Sequence, residues 1–277
     1  MKLFEKCLIA CDIDGTLMVN GLIPEINKEK IRFFIENGGE FAISTGRSAC
    51  AVKDVFDRLD CLSLGTYANG TVIYDRKSEK ILFDKTLDKS EYEIMFKVNE
   101  QFPEIGIEIH FQDRMGVYNA TEETEHHIKY ESMDDIPLNK KDLESIKANK
   151  ILYLASSFEE MKRIKAFVGQ FDSESDFVET TVSYYGRQRF FIEQIYQGMS
   201  KAVGVAKLAD ILGTEKGCIY AIGDYYNDIE MLAAADISAV PIDSPEEVKA
   251  NAAYITRSAE NGAVADFIDH LTEIRSR

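Results

Sequence analysis

The sequence predicts an α/β protein, a parallel sheet flanked by helices and interrupted by an inserted α+β module. Three observations predict it. Short runs such as KCLIAC (Lys6–Cys11) are apolar on successive residues, the signature of strands buried on both faces rather than alternating in and out. Between two such runs lies a helix-spaced segment of the length a right-handed βαβ crossover needs. The alternation then breaks near Leu87 and resumes at Ser200, as expected of one core carrying an insert.

Each element follows from its local pattern. After Lys6–Cys11 comes DIDGT, and Ile26–Asn37 then carries Ile26, Ile31, Phe34 and Ile35 at near-helical spacing before Gly38-Gly39 stops it. Phe41–Ser44 is a second apolar strand, ending in STGR. TVIYD and KILFD, flanking Arg76–Glu79, predict a hairpin within Tyr67–Phe83. The middle region has helical patterns at Lys89–Gln101 and Glu159–Gln170, and strand patterns at GIEIH, GVYN, KILYLA and DFVETTVSYY. Helix Ser200–Leu212, strand Cys218–Ile222 ending in GDYYND, helix Ile229–Ala235 and a strand near Ile237–Val240 restore the α/β order.

Composition narrows the function. With 277 residues, 45% of them apolar and 29% charged, the chain has the makings of one large domain or two ordinary ones. A formal charge of -16 disfavours nucleic acid and anionic lipid as partners, since both need basic surfaces. No apolar run is long enough to span a bilayer, and Leu8–Ala10 runs straight into Asp12 and Asp14 rather than into a leader-like segment. A cytoplasmic location is expected. Five scattered cysteines without C-x-x-C spacing predict reduced, buried thiols rather than a zinc site.

In an open parallel sheet, ligands bind beyond the carboxyl ends of the strands. Three polar clusters sit at such ends: DIDGT (12–16), STGR (44–47) and GDYYND (223–228). They would bring Asp12, Asp14, Asp224 and Asp228 into one crevice, where each pair of charges about 4 Å apart costs ~4 kcal/mol at an effective dielectric near 20. A divalent cation relieves that repulsion, and an all-oxygen donor set selects a hard ion such as Mg2+. The chemistry this favours is phosphoryl transfer. Asp12 is placed to attack phosphorus, and Asp14 to protonate the leaving oxygen and then activate water. Gly15 permits a sharp turn that the Thr16 hydroxyl ties, while Thr45, the Gly46 amide and Lys201 would stabilise the transferring phosphoryl oxygens. Singly, STGR, GDYYND and Lys201 read as caps and a solvated side chain. Their joint occurrence, in this order and each at a strand or helix end, argues for one shared site.

In these motifs the sequence resembles the haloacid dehalogenase (HAD) superfamily, and within it the Cof-type phosphatases of subclass IIB. DIDGT resembles the first family motif, Thr45 of STGR the second, Lys201 of GMSKA the third and GDYYND the fourth; the tail VKANAAYITRSAENGAVADFI resembles the family's closing segment. The resemblance implies a Rossmann-like core with a type C2B cap. Thirty-one positions separate Asp14 from Thr45 and 156 separate Thr45 from Lys201, so the cap lies in the second interval. The implied domains are core at 1–84, cap at 85–188 and core again at 189–277.

Carried over, the resemblance implies Asp12 as nucleophile and metal ligand, Asp14 as acid/base with its main-chain oxygen on the metal, Asp224 as a further ligand and Asp228 as holder of a metal-bound water. The Ile13 amide, Thr45, Gly46, Lys201 and Asn227 would contact phosphate, with Arg47 close behind at the crevice. Two departures stand out: Ala202 replaces the usual glycine after the lysine, and SAVPIDSPEE replaces a commoner small-residue run. Hinges are expected near Phe83–Leu87 and Gln188–Phe191. His110, Arg114, Tyr118, Tyr184, Tyr185 and Arg187 are candidate leaving-group contacts, whereas His126-His127 reads as a solvated helix face.

The function expected is Mg2+-dependent hydrolysis of a small phosphorylated metabolite, a sugar phosphate or a phosphorylated cofactor, through an aspartyl phosphate, by a monomer or weak homodimer. The rivals are a phosphomannomutase-like phosphotransferase and a non-catalytic phosphometabolite-binding protein.

Overall fold

A computed structural model describes residues 2–112, 114–131, 133–184 and 186–276, with the backbone alone at Ser183 and Tyr184. The chain divides into two compact units. The first comprises Met1–Gly46, Asp54–Leu82 and Ser200–Arg277; the second comprises Arg47–Lys53 and Phe83–Met199.

In chain order, the first passage gives β1 (Leu8–Cys11), α1 (Glu25–Glu36), β2 (Glu40–Ser44), α2 (Lys53–Arg58), β3 (Leu64–Tyr67), β4 (Val72–Asp75) and β5 (Lys80–Asp84). The insert gives α3 (Lys89–Gln101), β6 (Gly106–Phe111), β7 (Arg114–Asn119), α4 (Glu122–Glu131), β8 (Asp135–Pro137), β9 (Lys150–Ala155), α5 (Phe158–Val168), β10 (Ser175–Tyr184) and β11 (Arg187–Tyr196). The return gives α6 (Lys201–Leu212), β12 (Ile219–Ile222), α7 (Ile229–Ala234), β13 (Ile237–Pro241), α8 (Glu246–Lys249), β14 (Tyr254–Thr256) and α9 (Ala263–Arg275).

The sheet of the first unit runs β14-β13-β12-β1-β2-β3-β4-β5. It is parallel from β14 to β3 and turns antiparallel at β4. Every residue of β1 is buried, which is why the run is apolar without alternation. Helix α1 turns Ile31 and Phe34 inward and ends where Gly38, at φ +94°, donates its amide to the Ile35 carbonyl.

The second sheet runs β10-β11-β9-β6-β7-β8. Its residues alternate between two chemically different faces. Ile107, Ile109, Ile151, Tyr153 and Ile192 pack with Met95 and Val98 of α3 and Met161 and Ile164 of α5 into one buried cluster. Glu108 and His110, also buried, occupy the intervening positions of β6, and α4 contacts β6 and β9.

The expected parallel core with an α+β insert is observed, but the boundaries differ: the second unit also takes in Arg47–Lys53, begins at Phe83, and extends past residue 188. Residue 188 falls inside β11, which pairs with β10 from Tyr184↔Arg187 to Ser175↔Tyr196 and with β9 on its other side. A hinge at Gln188–Phe191 would break both ladders; the units part at Met199 and Ser200 instead. All five cysteines are free, with Cys7, Cys11 and Cys218 buried and Cys50 and Cys61 half-buried.

Candidate active site

The three clusters meet because their strands are in register. Cys11 of β1 lies opposite Ile222 of β12 on one side and Ile43 of β2 on the other, so Asp12, Gly223 and Ser44 leave the sheet at one level. The Asp12 amide still donates to the Ile222 carbonyl at 2.9 Å, and the Thr45 amide to the Thr66 carbonyl at 3.0 Å.

Asp12, Asp224 and Asp228 each present a carboxylate oxygen within 4.8 Å of the others. Lys201, fully buried at the first turn of α6, places Nζ 2.6 Å from Asp12 Oδ1 and 2.7 Å from Asp228 Oδ1. This is the reverse of a solvated lysine. Burial works against its charge, but the two carboxylates more than compensate and its pKa is raised. Burial is also the main cause pushing the Asp12 carboxyl well up, opposed by Lys201 and reinforced by the neighbouring aspartates. Asp224 is pushed up to about 7 by burial and then by Asp228. An all-oxygen donor set whose carboxylates resist ionising together is what a hard divalent cation fits.

The supporting contacts are local. Thr16 Oγ1 donates to Asp224 Oδ1 at 2.8 Å, and Gly15, at φ +84°, leaves no room for a Cβ, which would fall 2.3 Å from Asp224 Oδ2. Asp228 Oδ2 accepts the amides of Asp224 and Tyr225 at 3.0 and 3.1 Å. One oxygen of Asp228 therefore anchors the turn after β12 while the other holds Lys201.

The remaining predicted residues lie in the turns that follow β1, β2 and β12. Ile13 is buried, and its carbonyl accepts from the Thr16 and Met18 amides; Asp14 and Asn227 are exposed. Thr45 is buried and its carbonyl accepts the Asn69 amide at 3.2 Å, while a Cβ on Gly46 would lie 3.1 Å from Asn69 Oδ1. Asn69 was not singled out in the sequence; its only signal there is an Asn-Gly pair after an apolar strand. Gly70 and Gly204 were missed too. A Cβ on Gly70 would lie 2.3 Å from the Ser200 carbonyl, and one on Gly204 2.5 Å from Gly70 Cα. Gly204 therefore permits a close approach of α6 to the turn at Gly70.

Arg47 belongs to the second unit, where Nε lies 3.8 Å from Glu131 Oε1. Among the candidate leaving-group contacts, His110 is buried, Arg114 and Arg187 are exposed, and Tyr118 packs against Phe96 in the apolar cluster. The side chain of Tyr184 and all of Tyr185 lie outside the described residues. His127 corrects its expectation: it is buried, with Nδ1 2.8 Å from Glu108 Oε2, while His126 remains on the outer side of α4. No described helix is long and apolar enough to cross a membrane.

A family model for haloacid dehalogenase-like hydrolases matches residues 9–268. The chain is 28% identical over 293 aligned positions to the 5-amino-6-(5-phospho-D-ribitylamino)uracil phosphatase YwtE of Bacillus subtilis, covering 96% of this chain and 98% of that protein. It is 23% identical to the putative phosphatase YxeH of the same organism, covering 95% and 97%. The fold is similar to that of a haloacid dehalogenase-like hydrolase from Bacteroides thetaiotaomicron, with a TM-score of 0.80 at 20% identity over 96% of this chain and 99% of that one. It is also similar to the HAD subclass IIB sugar phosphatase BT4131, with a TM-score of 0.78 at 18% identity over 95% and 98%. A match running from the first strand to the last helix, on a core whose strand ends assemble these acids, makes the chain a member of the haloacid dehalogenase-like hydrolases.

Proposed function

We propose that this hydrolase is a Mg2+-dependent phosphatase of small phosphorylated metabolites that works in the cytoplasm through an aspartyl phosphate. The observation that carries the reading is the convergence of Asp12, Asp224 and Asp228 on one point, with Lys201 bonded to two of them.

Asp12, Asp224 and the main-chain oxygen of Asp14 would hold the ion, with Asp228 behind it. When bound, Mg2+ supplies positive charge that offsets the carboxylates and the phosphoryl oxygens together. Lys201 fixes the Asp12 carboxylate by one oxygen. An Asp12 oxygen bonds to phosphorus as the bond to the leaving oxygen breaks, and Asp14 gives that oxygen its proton. Asp14 then takes a proton from water, whose oxygen attacks phosphorus and releases Asp12. The Ile13 and Gly46 amides, the Thr45 hydroxyl, Asn227 and Lys201 would surround the phosphoryl oxygens.

The substrate class is a sugar phosphate or a phosphorylated cofactor precursor; two relatives named as 5-amino-6-(5-phospho-D-ribitylamino)uracil phosphatases place that compound first on the panel. Phosphate release from this panel should require Mg2+ and should vanish in Asp12→Asn, with circular dichroism unchanged. Near-normal turnover by that variant would exclude Asp12 as nucleophile. A phosphomutase would instead transfer the phosphoryl group to a second sugar hydroxyl faster than to water.

A further inference from the structure

The second unit contains a closed ring of six side chains that begins and ends on adjacent residues. Ser48 Oγ hydrogen-bonds His110 Nδ1. His110 Nε2 lies 3.3 Å from Glu108 Oε2, off the line of a hydrogen bond. Glu108 holds His127 Nδ1 through both oxygens, at 3.1 and 2.8 Å. His127 Nε2 lies 3.5 Å from Glu131 Oε1, and that same oxygen lies 3.8 Å from Arg47 Nε. Arg47 also sets its guanidinium 5.7 Å from the Tyr130 ring centroid and donates from Nη1 to the Ala51 carbonyl at 3.5 Å.

The neighbours of each group bias its charge. Burial opposes ionisation of His127, yet Glu108 and Glu131 on either side hold it up at about 10, so it is a cation. Glu108, despite burial, is drawn down to about 2, chiefly by His127. Burial, opposed by Glu108 and aided by Lys150 across the ladder, holds His110 below its ordinary value. A neutral imidazole that faces Glu108 with Nε2–H leaves Nδ1 to accept from Ser48.

Such a ring is a weak source of net stability, but it fixes geometry, because moving a member strands a buried charge or a buried polar group. What it fixes is the stretch directly after STG. Arg47–Lys53 belongs to the second unit although Gly46 and Asp54 on either side belong to the first. Ala51 packs with Met115, Val117 and Met133, so the segment is held by apolar contacts as well.

We infer that Ser48, His110 and Glu131 are positioning residues for the phosphate loop: the ring clamps the backbone at Arg47–Ser48, and the Gly46–Arg47 peptide passes that constraint to the Gly46 amide and the Thr45 hydroxyl. The inference rests on the reading that those two groups bind phosphoryl oxygens. The leaving group is not involved. Misplacing the loop therefore weakens every phosphate ester alike, and inorganic phosphate with them.

The test compares Ser48→Ala, Ser48→Thr and Glu131→Gln with the full-length protein. Hydrogen exchange of amides 46–53 should accelerate in Ser48→Ala and Glu131→Gln. kcat/KM should fall about tenfold or more, as expected for a misplaced binding loop. The fall should be the same for p-nitrophenyl phosphate and for the best metabolite ester, the inhibition constant of inorganic phosphate should rise in parallel, and Ser48→Thr should restore all three. Unchanged exchange and kinetics in both variants overturn the inference. So does a loss confined to the bulky ester, which would make the ring a leaving-group contact. If the unaltered protein hydrolyses no ester, the phosphatase reading fails, while the exchange measurement still decides whether the ring clamps the loop.

Discussion

Lys201 Nζ and Asp12 Oδ1 lie 2.6 Å apart across 189 residues of sequence, and Lys201 makes the same contact with Asp228 at 2.7 Å. One buried cation thus serves two buried carboxylates, and the centre has a charge partner before any ion or substrate arrives.

Removing that cation tests its weight. Lys201→Met leaves both carboxylates without their partner, a change that costs about 3 to 5 kcal/mol for a buried pair. The expected result is a markedly lower melting temperature in EDTA, partly recovered by Mg2+, and turnover down at least a hundredfold, the scale of losing one preorganised electrostatic group. A variant that melts like the parent in EDTA would mean that the contact contributes nothing to the resting site.

Gly15→Ala addresses the metal half of the same centre. Its φ of +84° is strained for any L side chain by roughly 1 to 2 kcal/mol. The new Cβ would also sit 2.3 Å from Asp224 Oδ2, so the carboxylate must move off its Thr16 hydrogen bond. A Mg2+ titration followed by turnover should shift its midpoint upward by about tenfold or more. An unchanged midpoint would show that Asp224 is not a ligand.

The centre was largely legible in the sequence because Asp12 and Asp224 stand at the ends of apolar runs, where strand register decides the neighbours. Lys201 was legible only in company, since nothing local distinguishes a buried lysine at a helix start from a solvated one. Gly70 and Gly204 were not legible, because their importance is a close approach between a turn and a helix more than 130 residues apart in the chain, and Asn69 was not because its partners, Thr45 and Gly46, stand on another strand end. His127 was misread for a related reason. The acidic stretch TEETEHHIKY reads as a polar surface, but its inner side meets Glu108, a carboxylate on the next element that no periodicity in the helix announces.

That pairing has a pH signature. His127 is held at about 10, above its ordinary 6.5, so its contribution to stability is complete below 6.5 and is lost as pH rises through 10. Glu108 is held at about 2, below its ordinary 4.5, so its contribution is complete above 4.5 and is lost as pH falls through 2. The pair is one interaction, and it is strongest between about 4.5 and 6.5. Glu131, Arg47 and Lys150 share the surroundings but do not reverse either sign. His127→Gln should therefore cost about 3 kcal/mol or more near pH 5.5, in the range for a broken buried pair, and much less near pH 10. Denaturant unfolding at three pH values measures the difference, and a cost independent of pH would rule out the charged pair.

The close approach of Gly70 to α6 can be isolated with a matched control at the other end of the same helix. Gly70 at φ +87° and Gly213 at φ +66° impose the same kind of backbone strain on an alanine, about 1 to 2 kcal/mol. Around Gly213 nothing lies within 4 Å of the added methyl group, so Gly213→Ala should cost that strain and leave turnover intact. Around Gly70 the added Cβ meets the Ser200 carbonyl at 2.3 Å, and a backbone atom, unlike a flexible side chain, cannot swing aside. The start of α6 must shift, and Lys201, the next residue, shifts with it. Gly70→Ala should accordingly lose both more stability and most of its turnover; equal turnover in the two variants would show that the turn at Gly70 does not set the position of Lys201.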